Sequence, residues 1–338
     1  RLWVVEMRTY MPDVDATGEL EPGNRIVVLE DVDGDGVMER SSVFLEGLVL
    51  PRAVAPCFGG ALVIEPPDLY FCKDTNGDGR ADVKRKLLSG FGGRENPEHA
   101  GNGLLRGLDN WYHISQHNLE FRFDGETIQT RPTPGHGQWG LTMDDLGRLY
   151  YTPNSNALLA DAYPKHYAVR NPAQGSASGI GELVAPDSTT WPARPTPGVN
   201  RGYQPDVLRP DGTLASLTAA CGPTIYRAGL LGDGFRGNAF ICESAGLLVK
   251  RLEVSDKNGV PAAVNAYQGT EFLRSTDERF RPVNSLVGPD GGLYIIDMAR
   301  GVIQHRTYVT PYLREQIKSR HLEKPLVLGR ILRIVPES

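Results

Sequence analysis

Residues 285–297 read SLVGPDGGLYIID. A short apolar run, a Pro-Asp-Gly-Gly turn and a second apolar run with an aromatic follow one another, the pattern of a β-hairpin. The phrase recurs as AVAPCFGGALVIE (53–65), GLLRGLDNWYHIS (103–115), GLTMDDLGRLYYTPN (140–154) and TIYRAGLLGDGFRGNAFICE (224–243). The opening RLWVVEM (1–7) is the second half of a sixth copy. Six copies in 338 residues leave ~56 residues for each, the size of a four-stranded propeller blade with its loops. The expected fold is all-β: a six-bladed β-propeller with long loop insertions and one late helix, a single domain over 1–338. The opening half-phrase predicts a chain trimmed at its N-terminus, with GRILRIV (329–335) completing or neighbouring the first blade. A pair of β-sandwiches is the alternative architecture.

Bulk properties agree with many turns and short strands, since the chain holds 39 Gly and 25 Pro. A net charge of −5 without a basic stripe argues against nucleic acid as a partner. Apolar runs are too short to span a membrane. The four cysteines, at 57, 72, 221 and 242, lack CxxC spacing, which leaves zinc and covalent haem unsupported. Cys221 and Cys242 fall at the start of one first strand and the end of the next second strand, so a disulfide there fits the geometry. Cys57 and Cys72 fall on non-adjacent strands and are expected unpaired. In TPYLREQIKSRHL (310–322), Thr310 suits an N-cap and Pro311 a first helical residue, predicting a helix over about 310–322. The stretch 171–203 is rich in Gly, Pro and Ser and reads as a long loop.

Two further stretches, DVDGDGVME (31–39) and DTNGDGRAD (74–82), share the spacing D-x-[DN]-x-D-G-x-x-[DE]. Calcium needs six to eight oxygens, and alternate side chains of a tight loop supply them. The predicted ligands are Asp31, Asp33, Asp35, the Val37 carbonyl and Glu39, then Asp74, Asn76, Asp78, the Arg80 carbonyl and Asp82. Position 12 is Ser42 or Arg85, and strands precede both loops, so neither is an EF-hand.

In a blade of antiparallel strands the start of the first strand and the end of the second lie at one end. The turn from third to fourth lies at the other end, where both acidic loops fall. They are expected to be braces, with the chemistry at the opposite end. That end collects Glu6, Glu65, Gln116 with His117, Asn154, Glu243 and Asp297 from second strands. First strands add Arg52, His99, His136 and Arg281. Convergent polar groups of this kind make a pocket. His99 is the expected general base, with His136 the second candidate. His113 and His166 find no place in this scheme, and His305 and His321 read as structural.

The runs DTNGDGRAD, GFGGRENPEHAGNGL (90–104), GNAFICESAGLLVKR (237–251), EFLRSTDERFRPVN (271–284) and DMARGVIQHRTYVTPYLREQI (297–317) resemble the membrane-bound dehydrogenase propeller of large exported bacterial proteins. That family is related to sorbosone and soluble glucose dehydrogenases. The resemblance implies a periplasmic or secreted propeller that oxidises a carbohydrate or alcohol with pyrroloquinoline quinone and calcium. A separate c-type cytochrome would be the electron acceptor. It places His99 as the base and Arg52, Arg281, Gln116 and Asn154 around the quinone. The sequence departs from the quinoprotein pattern at Asn102, Gly103 and Asn110, and has His136-Gly137 where an arginine–asparagine pair is usual. Two other functions suit the residues. One is a metal-dependent lactonase or related hydrolase with an axial cation on Glu6, Asn154, Glu243 and Asp297. The other is a calcium-braced, non-catalytic module that binds a glycan or a protein.

Overall fold

The computed structural model describes residues 1–171 and 178–337. The fold is a six-bladed β-propeller whose sheets fall into two compact units, three in each. Unit 1 comprises Arg1–Gly135 and His305–Thr307. Its first sheet is β1 (Leu2–Glu6), β2 (Asn24–Glu30) and β3 (Arg40–Leu48). The second is β4 (Ala53–Cys57), β5 (Gly60–Glu65), β6 (Asp68–Lys73) and β7 (Val83–Ser89). The third is β8 (Asn102–Arg106), β9 (Tyr112–Ser115), β10 (Leu119–Phe123) and β11 (Ile128–Pro132).

Unit 2 comprises His136–Gln304 and Tyr308–Ser338. Its first sheet is β12 (Leu141–Met143), β13 (Leu149–Tyr151), β14 (Leu159–Ala160) and β15 (Glu182–Leu183). The next is β16 (Ala220–Ile225), β17 (Ala239–Glu243), β18 (Leu248–Lys257) and β19 (Val260–Asn265), with β20 (Leu273–Arg274) also on β18. The last is β21 (Pro282–Val287), β22 (Leu293–Asp297) and β23 (Arg330–Ile334). All pairings are antiparallel, and each blade is a meander in chain order apart from β20. Of the two places expected for the C-terminal strand, within the first blade or in a neighbouring one, it does not take the first. It pairs with β22 from Leu293↔Ile334 to Asp297↔Arg330. There Leu332 and Ile334 extend the apolar face of the sixth blade.

Burial explains the strand sequences. The second strands β5 (GALVIE) and β17 (AFICE) are sandwiched, buried at every residue and apolar up to their terminal glutamates. The outer strand β7 (VKRKLLS) is exposed over its first four residues. Side chains alternate across a sheet, so each second strand serves two interfaces. Ala61 and Val63 pack with Ile26, Val28 and Phe44 of the first blade. Leu62 and Ile64 pack with Tyr112, Ile114 and Phe121 of the third. In unit 2, Ala239 and Ile241 face Tyr150 and Ala160 of the fourth blade. Phe240 and Cys242 face Leu293 and Ile295 of the sixth. Each fully buried aliphatic side chain contributes about 1.5–3 kcal/mol.

The late helix α1 spans Pro311–Ser319, within the expected 310–322. The Thr310 hydroxyl accepts from Leu313 N at 3.2 Å as N-cap, and Leu313 and Ile317 are buried on one face. It stops early because Arg320 leaves helical geometry and His321 turns to a φ of 54°. Tyr312 Oη donates to Pro197 O at 2.8 Å, and Asn200 Nδ2 to Tyr308 O at 2.8 Å. These bonds fasten the helix region to the long loop predicted over 171–203, of which 172–177 lie outside the described residues. All four cysteines are thiols, Cys221 and Cys242 included.

Ile64→Ala should lower the unfolding free energy by roughly 2–5 kcal/mol in urea denaturation. Val83→Ala, on the exposed outer strand, should change it by less than about 0.5 kcal/mol.

Candidate functional site

The two acidic loops are the turns β2–β3 and β6–β7, and their internal bonds correspond position by position. In the first, Gly34 N and Gly36 N donate to the Asp31 carboxylate at 2.6 and 2.9 Å, and Val32 N to Glu39 Oε2 at 2.7 Å. In the second, Gly77 N and Gly79 N donate to Asp74 at 2.7 and 2.8 Å, and Thr75 N to Asp82 Oδ1 at 3.0 Å. The side chains at positions 3 and 5 each accept the amide two residues on, Asp35 and Val37 in one loop, Asp78 and Arg80 in the other. The paired glycines all have positive φ, 83° to 92°, which lets the chain fold round its own carboxylates. Backbone amides of Gly79 and Gly77 hold the Asp74 carboxyl below the usual range. One oxygen from each of Asp31, Asp33, Asp35 and Glu39 lies within 4.8 Å of the others, an arrangement that fits an oxygen-ligated cation.

The polar residues ending the second strands have a different occupation. Glu65 Oε1 accepts from Val49 N at 2.8 Å, and Oε2 takes Lys84 Nζ at 2.7 Å. Glu243, fully buried, accepts from Thr218 N, Ala219 N, Ala245 N and Gly246 N at 2.9–3.3 Å. Asp297 accepts from Arg281 N and Ala299 N at 2.7 and 2.8 Å, and from Arg330 Nε at 2.7 Å. Each carboxylate ties the chain arriving at a first strand to the end of the second. Burial pushes Glu243 up to about 7, against the pull of its four amides. Glu6 pairs with Arg25 at 2.5 Å. Asn154 and Gln116 are turn residues with φ of 82° and 57°, and Asn154 O accepts from Ala220 N at 2.8 Å.

Unit 1 holds two of the predicted residues beside Glu98, His99 next to it in the chain and Arg52 through its charge. His99 ends a 3-10 turn, Pro97–His99, three residues before β8, and it is exposed. The preceding residue holds the turn from behind: Glu98 Oε1 accepts from His305 N and lies 3.5 Å from Tyr10 Oη. His305 Nε2 is 3.0 Å from Glu19 Oε2, and Glu19 Oε1 accepts from Met11 N at 3.2 Å. Arg52 shares this surrounding. Burial lowers its pKa, while Tyr10, Glu98 and Glu19 act to raise it. Tyr10 is pushed well above the ordinary phenol value by burial and by Glu98. Sequence reading found His99 and Arg52 but not Tyr10, Glu19, Glu98 and His305, whose meeting depends on segments up to 286 residues apart.

The other candidates lie in unit 2. Arg281 is buried and donates from Nε to Arg300 O, from Nη1 to Ser244 O and from Nη2 to Gly301 O, at 3.1, 2.8 and 3.4 Å. Burial pulls its pKa down to about 10. His136 is buried, with Nε2 3.6 Å from Asp161 Oδ2 and its ring edge-on to Tyr151. Tyr151 Oη donates to Asp161 Oδ1 and accepts from Lys165 Nζ, both at 2.8 Å. The carboxylates of pyrroloquinoline quinone need cationic donors turned outward. The Arg281 guanidinium, bonded to three main-chain carbonyls, does not fit that role.

His113, which sequence reading left without a role, is the hub of a buried network in the third blade. Its Nδ1 lies 3.0 Å from Glu120 Oε1, and Nε2 3.8 Å from Asp109 Oδ1. Arg131 closes the network on Glu120 and Asp109 at 2.6 and 3.0 Å and stacks over Trp111. Burial opposes the His113 charge, but the two carboxylates outweigh it and raise the pKa. Burial likewise acts upward on Glu120, but His113 and Arg131 pull it down to about 2. The pattern H-x6-E at 113 and 120 was the available signal.

Fold and site together define a six-bladed β-propeller with two acidic loops and an exposed His99 in the first unit. Over residues 1–338 the chain matches, and belongs to, the family described as Domain of unknown function (DUF7133). No curated protein matches the chain significantly. Solved structures similar to it include an oxidoreductase (glucose dehydrogenase) from Thermus thermophilus, at 16% identity over 91% of this chain and 99% of that one, TM-score 0.36. Another is the PQQ-bound aldose sugar dehydrogenase of Streptomyces coelicolor, at 14% identity over 90% and 95%, TM-score 0.43. A third is virginiamycin B lyase from Staphylococcus aureus, at 11% identity over 87% and 82%, TM-score 0.39. Likeness at this level does not choose among their activities.

The network in the third blade sets a pH response. The raised His113 pKa contributes stability that is complete below the unfolded value of about 6.5 and is lost as pH rises through the folded value. The depressed Glu120 pKa contributes stability present above about 4.5 and lost as pH falls through about 2. Unfolding free energy measured against pH should decline on the alkaline side in the wild type. His113→Gln should be less stable at neutral pH and lack that decline.

Proposed function

We propose that the chain is a sugar- or alcohol-oxidising propeller that acts in the periplasm or outside the cell, with calcium in both acidic loops. The observation that supports this most directly is the placement of His99. Its exposed imidazole stands at the end of a turn pinned through Glu98 by His305 and Tyr10, with the Arg52 charge in the same cluster. In this reading His99 takes the proton of a substrate hydroxyl as the carbon is oxidised, and the hydride leaves to an acceptor supplied from outside the chain. Arg52 favours the developing alkoxide through its charge. No step is assigned to a quinone, because Arg281, expected to help hold one, is bonded to three main-chain carbonyls. The carbohydrate class rests on the sequence resemblance.

A second reading, a calcium-braced glycan-binding module, is favoured by one observation. The strand-end carboxylates of the second, fifth and sixth blades all serve the backbone. The two readings part on turnover. With a redox dye and a panel of aldoses and alcohols, with and without added quinone, the wild type should reduce dye. His99→Ala should lose about 100-fold or more of that rate while keeping its thermal stability. No dye reduction with any substrate, together with glycan binding by calorimetry that His99→Ala leaves intact, would establish the module instead.

Calcium occupancy is read separately. Calcium at about 100 times its dissociation constant should add ~2.7 kcal/mol of stability for each loop it occupies, seen as a higher Tm. Chelation should reverse it, and Asp31→Ala with Asp74→Ala should abolish it. A Tm indifferent to calcium and chelator in the wild type would remove the metal from the proposal.

A further inference from the structure

Cys221 and Cys242 stand directly opposite each other in the β16–β17 ladder. Both point into the apolar cluster shared with the sixth blade, among Val249, Leu293 and Ile295. The neighbours of Cys221 fix its place in the ladder. Ala220 N donates to Asn154 O and Gly222 N to Trp139 O, both away from β17. Alternation therefore turns the Cys221 peptide groups toward β17, the hydrogen-bonded type of pair, in which opposed Cα atoms lie ~5.5 Å apart. That spacing falls at the most frequent separation for a disulfide, and same-face side chains satisfy its direction. Cys57 and Cys72 lack this relation, since β5 separates β4 from β6.

In the reduced state the two sulfurs have other neighbours. Cys221 Sγ lies 3.4 Å from Ser244 Oγ and 3.8 Å from Pro282 O. The Ser244 hydroxyl already donates to Pro282 O at 2.6 Å, so this thiol is a marginal member of the group. Cys242 is fully buried. Burial pushes the Cys221 thiol up to about 12 and the Cys242 thiol well above its ordinary value, which keeps both unreactive once the blade has closed. Oxidation therefore belongs to the stage before closure.

We propose that Cys221 and Cys242 are an oxidation site, joined as a cross-strand disulfide within the fifth blade when the chain folds in the presence of a disulfide donor. One cysteine thiolate attacks a sulfur of the donor, breaking its S–S bond and releasing one donor thiol. The other cysteine then attacks the mixed disulfide, releasing the second donor thiol. One S–S bond breaks and one forms. The two electrons from the cysteines reduce the donor, and their two protons end on the donor thiols. The new bond closes residues 222–241, including the whole connection between β16 and β17, into a covalent loop, which restricts the unfolded chain.

The test refolds the full chain from denaturant in glutathione buffers of graded oxidised-to-reduced ratio, then quenches, alkylates and maps peptides by mass spectrometry. The expected result in the oxidising buffers is a linked Cys221–Cys242 peptide pair with Cys57 and Cys72 alkylated. The oxidised protein should also have a Tm higher on the order of 5 °C. Cys221→Ser and Cys242→Ser should each show no such rise between the reducing and the oxidising buffers, whatever the substitution itself costs. Alkylation of all four cysteines in every buffer would overturn the proposal. So would linkage of either residue to Cys57 or Cys72, or an oxidised form that melts below the reduced one.

Discussion

The double-sided packing of each second strand is the constraint on which the rest depends. In β5, Ala61 and Val63 face one neighbouring blade while Leu62 and Ile64 face the other. β17 divides Ala239 and Ile241 from Phe240 and Cys242 in the same way. A slip of one residue would exchange the two sets and damage both interfaces at once, so register is specified twice over. Close packing of this kind also explains particular glycines. Gly222, at a φ of 52°, lies where a Cβ would come within 2.4 Å of Asn284 Cα, in the first strand of the adjacent blade.

With the sheets fixed, the polar strand ends take on a mechanical role. The chain must cross from an outer strand to the next first strand, and those crossings leave main-chain amides without a ladder. Glu65 accepts one such amide, Glu243 two and Asp297 one. A buried amide without an acceptor costs about 1–3 kcal/mol, so these carboxylates are needed where they are. Arg281 answers the converse problem by donating to three carbonyls. Polar convergence that suggests a pocket in the sequence is thus largely bonded to the backbone. His99 differs in being exposed, and Glu98 anchors its turn.

Much of the architecture was legible in the residues because it is local. Hairpin phrases show as alternation around Gly, Asp and Asn turns. Thr310-Pro311 shows as a cap, and the acidic loops show through fixed spacing. The candidate site was legible only in part. His99 and Arg52 could be named from their positions before β8 and β4, but their surroundings come from distant segments. Glu19 reaches His305, and Glu98 reaches both Tyr10 and the His305 amide. No periodicity carries such pairings. The place of the C-terminal strand was left open for a similar reason. GRILRIV would suit either end of the propeller, and only the apolar face offered by β22 decides its partner.

The acidic loops are built into blade-to-blade packing more tightly than their exposure suggests. In the second loop Arg80 is paired with Glu46 of β3, and Ala81 N donates to Phe44 O of the same strand at 2.7 Å. Arg80 is also position 7 of the loop, whose carbonyl would be a metal ligand. A cation held there would fix the same stretch, Arg80 and Ala81, that joins the first and second blades. Antiparallel order in β4–β7 puts this turn at the opposite end of the blade from Arg52 and Glu65. Ion binding would therefore act on the packing of β3 against the second blade, and reach the His99 turn only through the rigidity of the sheets between them.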